Sequence, residues 1–230
     1  NPGAGITSLA RIIGKIYKSL GLLERGHVVE VDREGLIAGF TGQTAIKTKE
    51  KIDAAMGGVL FIDEAYALAE DGPNGFGKEA IEVILKHMED KRGQFGVIVA
   101  GYPDNMHRFV EMNPGLKSRF DKTYDFKDYT SEQLIVIAQN LFKKEELLPS
   151  AEAIAHLTLY FSNLLAAKDK FFGNARTVRQ TVGECVMKQN LRMASIPSSE
   201  RKVEDLMHLT FDDVKHLMIG ESQSRPSLGF

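Results

Sequence analysis

The sequence predicts an α/β domain, a parallel sheet covered by helices, followed by a smaller helical domain. Three observations predict it. Apolar runs of strand type alternate with segments of helical period up to about residue 129. The runs are continuously apolar, as strands buried on both faces require. After Tyr129 every long periodic segment is helical.

The elements follow in order. From Thr7 to about Leu20, the residues Leu9, Ile12, Ile13, Ile16, Tyr17 and Leu20 recur at three and four residues, which reads as a helix. His27 to Val31 is a short β-prone run. Ala45 to Met56 reads as a helix stopped by Gly57 and Gly58. Val59 to Ile62 is a strand buried on both faces. A Gly-rich loop, Asp71 to Gly77, leads into a helix with Ile81, Ile84, Leu85 and Met88 on one face. Val97 to Ala100 is the next buried strand, and Thr123 to Phe126 reads as a last one. Ser131 to Lys144, Ala151 to Ala166 and Ala175 to Ala194 are helical in period. The expected division is therefore residues 1–129 for the α/β domain, 130–220 for the helical one and 221–230 for a polar, loose tail. No internal repeat is visible.

At 230 residues, 43% of them hydrophobic, the chain buries a sizeable core. Its net charge is −2 with both signs interspersed, which gives no reason to expect a nucleic-acid or membrane surface. No apolar run approaches the ~20 residues of a membrane helix. A single cysteine, Cys185, excludes an internal disulfide and fits a reducing compartment, the cytoplasm or a plastid stroma.

The first chemical signal is at the N-terminus. A phosphate-binding loop, G-x-x-x-x-G-K-[ST], wraps phosphates with backbone N–H groups, reaches them with Lys and holds Mg²⁺ with a hydroxyl. Gly3, Ala4, Gly5, Ile6 and Thr7 match its second half, with Ser8 next and a helix beginning there. Two parts depart from the pattern. The first Gly would fall just before Asn1, and the strand that feeds such a loop lies mid-sheet, so we expect residues upstream of Asn1. The Lys position holds Ile6, which carries no charge to the phosphates. That means a weakened binder, an engineered change, or residues lost from the sequence at that point.

The second signal is VLFIDEAY, Val59 to Tyr66. Four apolar residues followed by Asp63 and Glu64 place two carboxylates at the C-terminal edge of a buried strand, where α/β folds bind ligands. Asp63 suits ordering Mg²⁺ and Glu64 polarising an attacking water. A solvated acidic turn is the plainer alternative.

TAIKTKEKIDAAMGGVLFIDEAYAL, FGKEAIEVILKHMED, VIVAGYPDNM, NPGLKSRF and GNARTVRQ occur in this order. Together, from Asn1 to about Met193, they resemble the AAA+ ATPases of the CbbX (CfxQ)/stage V sporulation protein K group. The resemblance implies an AAA+ sheet with a small helical lid, with ATP and Mg²⁺ as cofactors. It also implies self-assembly into a ring, typically a hexamer, or a ring shared with related subunits, and a client protein remodelled by threading. In CbbX that client is inhibited Rubisco, but the stretch after Ser195 departs from the CbbX pattern.

Residue by residue, the resemblance assigns Arg119 of NPGLKSRF as an arginine finger serving the adjacent subunit. It makes Arg176 of GNARTVRQ a sensor-2 residue over its own nucleotide, and Tyr102 the candidate for sensor 1. Phe40 in LIAGFTGQT becomes the aromatic of a pore loop. Gly75 to Gly77 would belong to a second pore loop. Without the resemblance, Arg119 reads as a surface Arg pairing with Asp121 or Asp125, and Phe40 as a core aromatic.

Two other functions compete. One is a hydrolysis-impaired regulatory or structural subunit of a mixed ring, for which Ile6 speaks. The other is a nucleic-acid motor, against which the balanced charge and Phe40 argue.

Overall fold

The computed structural model describes residues 3, 5–40, 42–70, 75–120, 122–168 and 172–218. The polar tail and the first half of the Gly-rich loop lie outside the described residues. The chain divides into two compact units, one of Gly5–Phe126 and one from Lys127 onward, to which Gly3 also belongs.

In the α/β unit, α1 (Ile6–Ser19) precedes β1 (Val28–Val31), the short α2 (Arg33–Leu36), α3 (Gln43–Ala54) and β2 (Val59–Ile62). A 3₁₀ helix (Ala65–Ala69) then leads to α4 (Phe76–Asp90), β3 (Gly96–Val99), α5 (Pro103–Glu111) and α6 (Pro114–Arg119). The three strands form one parallel sheet in the order β1-β2-β3. Val59 stands opposite Val28 on one side and Gly96 on the other.

β2 is the middle strand and all four of its residues are buried. Successive side chains of a strand point to opposite faces, and both faces here are covered. Phe61 packs with Ala10 and Ala100 on the α1 side. Leu60 and Ile62 join Ile52, Ile81 and Ile84 in the larger core on the other. This double burial is why the run is apolar without alternation. α4 crosses so close to the 3₁₀ helix that a Cβ on Gly77 would overlap the Leu68 carbonyl.

One expected strand is absent. Thr123 to Phe126 pairs with no strand among the described residues, and Tyr124 is 69% exposed. Alternating TYDF suits a pleated surface, but a strand needs ladder partners, and the described sheet ends at β3. Conversely, α5 and α6 stand where no helix was expected. Each begins with Pro at its first position, and Asn113 caps α6 by accepting the Gly115 N–H at 2.7 Å. Proline there is pre-set for a helix start, not a break.

The helical unit holds α7 (Ser131–Lys144), β4 (Leu148–Pro149), α8 (Ala151–Ala166), α9 (Ala175–Ser195), α10 (Val203–Met207), β5 (His208–Leu209) and α11 (Phe211–Val214). Thr130 and Gln133 form a capping box that starts α7, and Ser150 caps α8 through the Ala153 N–H. Leu134, Phe142, Leu157, Phe161, Val178 and Val182 fill a core of its own. Cys185 is buried there, and burial pushes its thiol up to about 12, so it is inert as a nucleophile.

Candidate functional site

Asp63 and Glu64 stand where β2 ends. The Asp63 N–H still donates to the Val31 carbonyl of β1 at 2.8 Å, so the strand holds its register up to the acid. The chain then turns sharply. Glu64 adopts a left-handed backbone, φ 47° and ψ 42°, and its N–H donates to Asp63 Oδ1 at 3.0 Å. A left-handed non-glycine residue costs about 1 kcal/mol or more and persists where the surroundings fix it. Here the Ala65 N–H donates to the Ala100 carbonyl at 3.0 Å and locks the turn across the end of β3. Both carboxylates are exposed at the sheet's C-terminal edge. Asp63 also lines a cavity of about 270 Å³ with Glu30, Asp32, Gly35 and Lys51.

α1 begins in the same unit. Gly5 is its N-cap with φ 85°, offers no side-chain cap, and no acid occupies the first turn. Backbone donors at such an end favour an anion. Thr7 and Ser8 sit in that first turn, but Ile6 packs instead on the apolar group of Ala10, Phe61 and Ala100. Ala4 lies outside the described residues. Gly3, at φ 68°, groups with the helical unit. Its carbonyl accepts the Ala175 N–H at 3.2 Å, and a Cβ on it would overlap the Gly173 carbonyl.

Arg176 occupies the first turn of α9, where it is exposed, with Arg179 one turn along. Two cations and no acid at a helix N-terminus oppose the macrodipole, an arrangement an anionic ligand would relieve.

Arg119 ends α6. Its Nη2 donates to Glu89 Oε2 at 3.2 Å, and its Nη1 to the Gly115 carbonyl at 3.4 Å. Its in-chain partner is thus Glu89, and Asp121 lies outside the described residues. The side chain is 28% exposed, and its Nε is buried without an acceptor among the described residues.

Tyr102 caps α5 and lies 6.3 Å, ring to ring, from Tyr66. Sequence reasoning missed Tyr66 and Asn105. Burial, then the nearby charge of Glu64, raises the Tyr66 phenol above its ordinary pKa, and a hydrogen bond with Asn105 opposes the rise. Gly101 is the residue that admits Tyr66, since a Cβ there would meet its ring at 2.7 Å. Tyr66 follows the end of β2 by four residues and Asn105 the end of β3 by six, so polar residues just past two strand ends were the available signal. Phe40 is 72% exposed between Gly39 and Gly42, so it is not a core aromatic.

Residues 1–128 match the family described as ATPase family associated with various cellular activities, AAA, and residues 130–224 match the AAA lid domain. The chain belongs to the AAA family of ATPases. It is 40% identical over 215 residues to stage V sporulation protein K of Bacillus subtilis, covering 93% of this chain and 66% of that protein. It is 38% identical to the CfxQ homolog of Pyropia yezoensis, covering 93% of this chain and 71% of that protein. The chain thus spans about two thirds of the length of these curated relatives. The FIGL-1 AAA domain, solved in complex with ADP, superposes with a TM-score of 0.58 at 15% identity, covering 94% of this chain and 68% of that one, which shows the fold alone. AAA membership implies nucleotide binding. The parallel sheet and the helical C-terminal part are the AAA domain and its lid. Among the described residues no helix is long and apolar enough to cross a membrane.

Proposed function

We propose that this AAA module hydrolyses ATP between neighbouring copies of itself in a ring and uses the cycle to remodel a client protein. The observation that carries it is the turn at Asp63–Glu64, two exposed carboxylates fixed at the C-terminal edge of the central strand. Glu64 polarises the water that attacks the γ-phosphorus and takes its proton, while ADP leaves with the bonding pair. Oδ1 of Asp63 is engaged by the Glu64 N–H, which leaves Oδ2 for a cation's water shell. No group of three or more His, Cys, Asp or Glu among the described residues could hold a metal. Mg²⁺ takes one or two carboxylates plus substrate phosphates, a demand that Asp63 can meet. Asp63 and the Thr7 hydroxyl would hold it, and when bound it neutralises charge on the β- and γ-oxygens.

In the α/β unit the backbone around Gly5 and Ser8 binds phosphates, and in the helical unit Arg176, at the α9 N-terminus beside Gly3, is a phosphate ligand of its own. Arg119 serves the nucleotide of the adjacent protomer, where a fixed guanidinium spreads the charge of the transferring phosphoryl group. Tyr102, behind Tyr66, is proposed for sensor 1. Phe40 grips an extended client through apolar contact. The protein works in the cytoplasm or a plastid stroma, on a protein client and on neither nucleic acid nor membrane.

A second reading is favoured by Ile6. Its side chain packs on Phe61 and Ala10, so no charge reaches the phosphates from that position. The chain would then be a hydrolysis-impaired subunit that donates Arg119 to an active neighbour. Steady-state ATPase assays on the chain and on Ile6→Lys separate the two. The remodeller reading expects turnover, raised about tenfold or more by the new charge-assisted contact. If both proteins bind nucleotide and neither hydrolyses it, the regulatory subunit stands.

A further inference from the structure

The turn that opens α9 contains a residue no functional role above has used. Asn174 is fully buried, and its backbone, φ 47° and ψ −123°, lies where side chains are rarely tolerated. Its side chain is engaged at both ends. Oδ1 accepts the N–H of Tyr129 at 3.0 Å, and Nδ2 donates to Asp128 Oδ1 at 2.8 Å. Asp128 is held in turn, since Lys168 Nζ donates to its Oδ2 at 2.6 Å. The same turn continues into α9, where the Arg176 N–H donates to the Gly173 carbonyl at 2.8 Å and the Val178 N–H to the Asn174 carbonyl at 3.1 Å.

Residues 128 and 129 belong to the segment by which the chain enters the helical unit, directly before the Thr130 cap of α7. One strained, buried amide therefore ties the entry segment to the first turn of the helix that carries Arg176. Glycine would adopt the backbone at position 174 with less strain, so the turn alone does not explain an asparagine there. The side chain's hydrogen bonds to Tyr129 and Asp128 do.

We propose that Asn174 is a positioning residue that couples Arg176 to the entry segment at Asp128–Tyr129, so that phosphate contact at Arg176 and the setting of that segment are one event. This rests on the reading of Arg176 as a phosphate ligand. A rigid link of this kind makes Arg176 effective only while the clamp is closed, because a guanidinium on a loose turn loses its preset geometry.

The test is a double-mutant cycle on the full-length protein, read as affinity for a fluorescent ATP analogue, with thermal unfolding measured in parallel. Asn174→Gly keeps the backbone conformation and removes both hydrogen bonds. Arg176→Ala alone is expected to weaken nucleotide binding about tenfold, and Asn174→Gly alone by about fivefold, within the range of measured site couplings. Together they should weaken it little more than Arg176→Ala does, since each breaks the same link. Asn174 as a simple turn-former predicts that Asn174→Gly binds like the wild type, and additive losses would overturn the coupling while leaving Arg176 a ligand. If Arg176→Ala changes nothing, both the coupling and the ligand role fall. Should Asn174→Gly fail to fold, Asp128→Ala opens the other half of the clamp and closes the same cycle.

Discussion

Glu64 carries the heaviest chemical demand of any single residue. Its carboxylate projects from a left-handed turn that the Ala65–Ala100 and Glu64–Asp63 hydrogen bonds hold in place. Glu64→Gln keeps the shape and removes the base. Nucleotide binding should stay within about twofold of wild type while kcat falls by roughly 10² to 10⁴, the usual worth of a positioned general base. A parallel rise in KM would instead place Glu64 in binding. At this scale the position of Asp63 and Glu64 at the end of β2 was legible, because acids after an apolar strand are a pattern of residue type, whereas the roles given to Arg119, Arg176 and Phe40 came only from the resemblance. What the sequence hid was conformation and partner choice. Nothing in DEAY announces that Glu64 turns left-handed, that Tyr66 reaches Gly101, or that Arg119 donates to Glu89, thirty residues away.

Elements were legible where periodicity and caps agreed. α7 and α8 occupy the spans their sequences mark, since Thr130 and Ser150 fix their starts. β2 was equally plain, being buried on both faces. The failures share a cause: short elements are decided by neighbours, as with unpaired Thr123 to Phe126, or by caps that look like breakers, as with Pro103 and Pro114. α11 is a short helix that buries Val214 in the helical core and carries a tertiary ion pair. Asp213, 1% exposed, accepts from Arg192 Nε at 2.8 Å and Nη2 at 2.9 Å and from the Thr210 N–H at 2.8 Å. Burial alone would raise this carboxyl, but the Arg192 hydrogen bond and the Thr210 N–H outweigh it and hold the pKa below its ordinary value. A depressed pKa means stability that is present above the unfolded value, about 3.9, and lost as pH falls through the folded one. Asp213→Ala should cost the helical unit about 2 kcal/mol near neutral pH, since its charge-assisted hydrogen bonds are lost while Arg192, 26% exposed, regains water. Circular dichroism melts across pH should show the gap to wild type closing below about pH 4. A gap of constant size down to pH 3 would mean the pair adds nothing to this unit's acid sensitivity.

At the scale of the whole molecule, the proposal demands that no protomer be sufficient. Asp63 and Glu64 sit at one edge of the sheet, while Arg119 ends α6 and is occupied in its own chain by Glu89. Under that proposal the finger used in trans comes from a heterologous, head-to-tail contact, which forms a ring where its rotation closes. That geometry makes a prediction that neither single variant makes alone. Arg119→Ala retains a competent pocket and offers no finger, and Glu64→Gln offers a finger and retains no base. Each homogeneous ring should be nearly inactive. Mixed in equal amounts and allowed to exchange subunits, they should recover activity, because an Arg119→Ala pocket that meets a Glu64→Gln neighbour is complete. With random assembly about a quarter of the interfaces have that order, so recovery should approach a quarter of wild-type turnover. Partial exchange would lower the figure but not abolish it. Mixtures that stay as inactive as their components, after exchange has been verified by fluorescence transfer between labelled protomers, would show that Arg119 acts within its own chain. The Glu89 pair would then be its working position rather than a resting one.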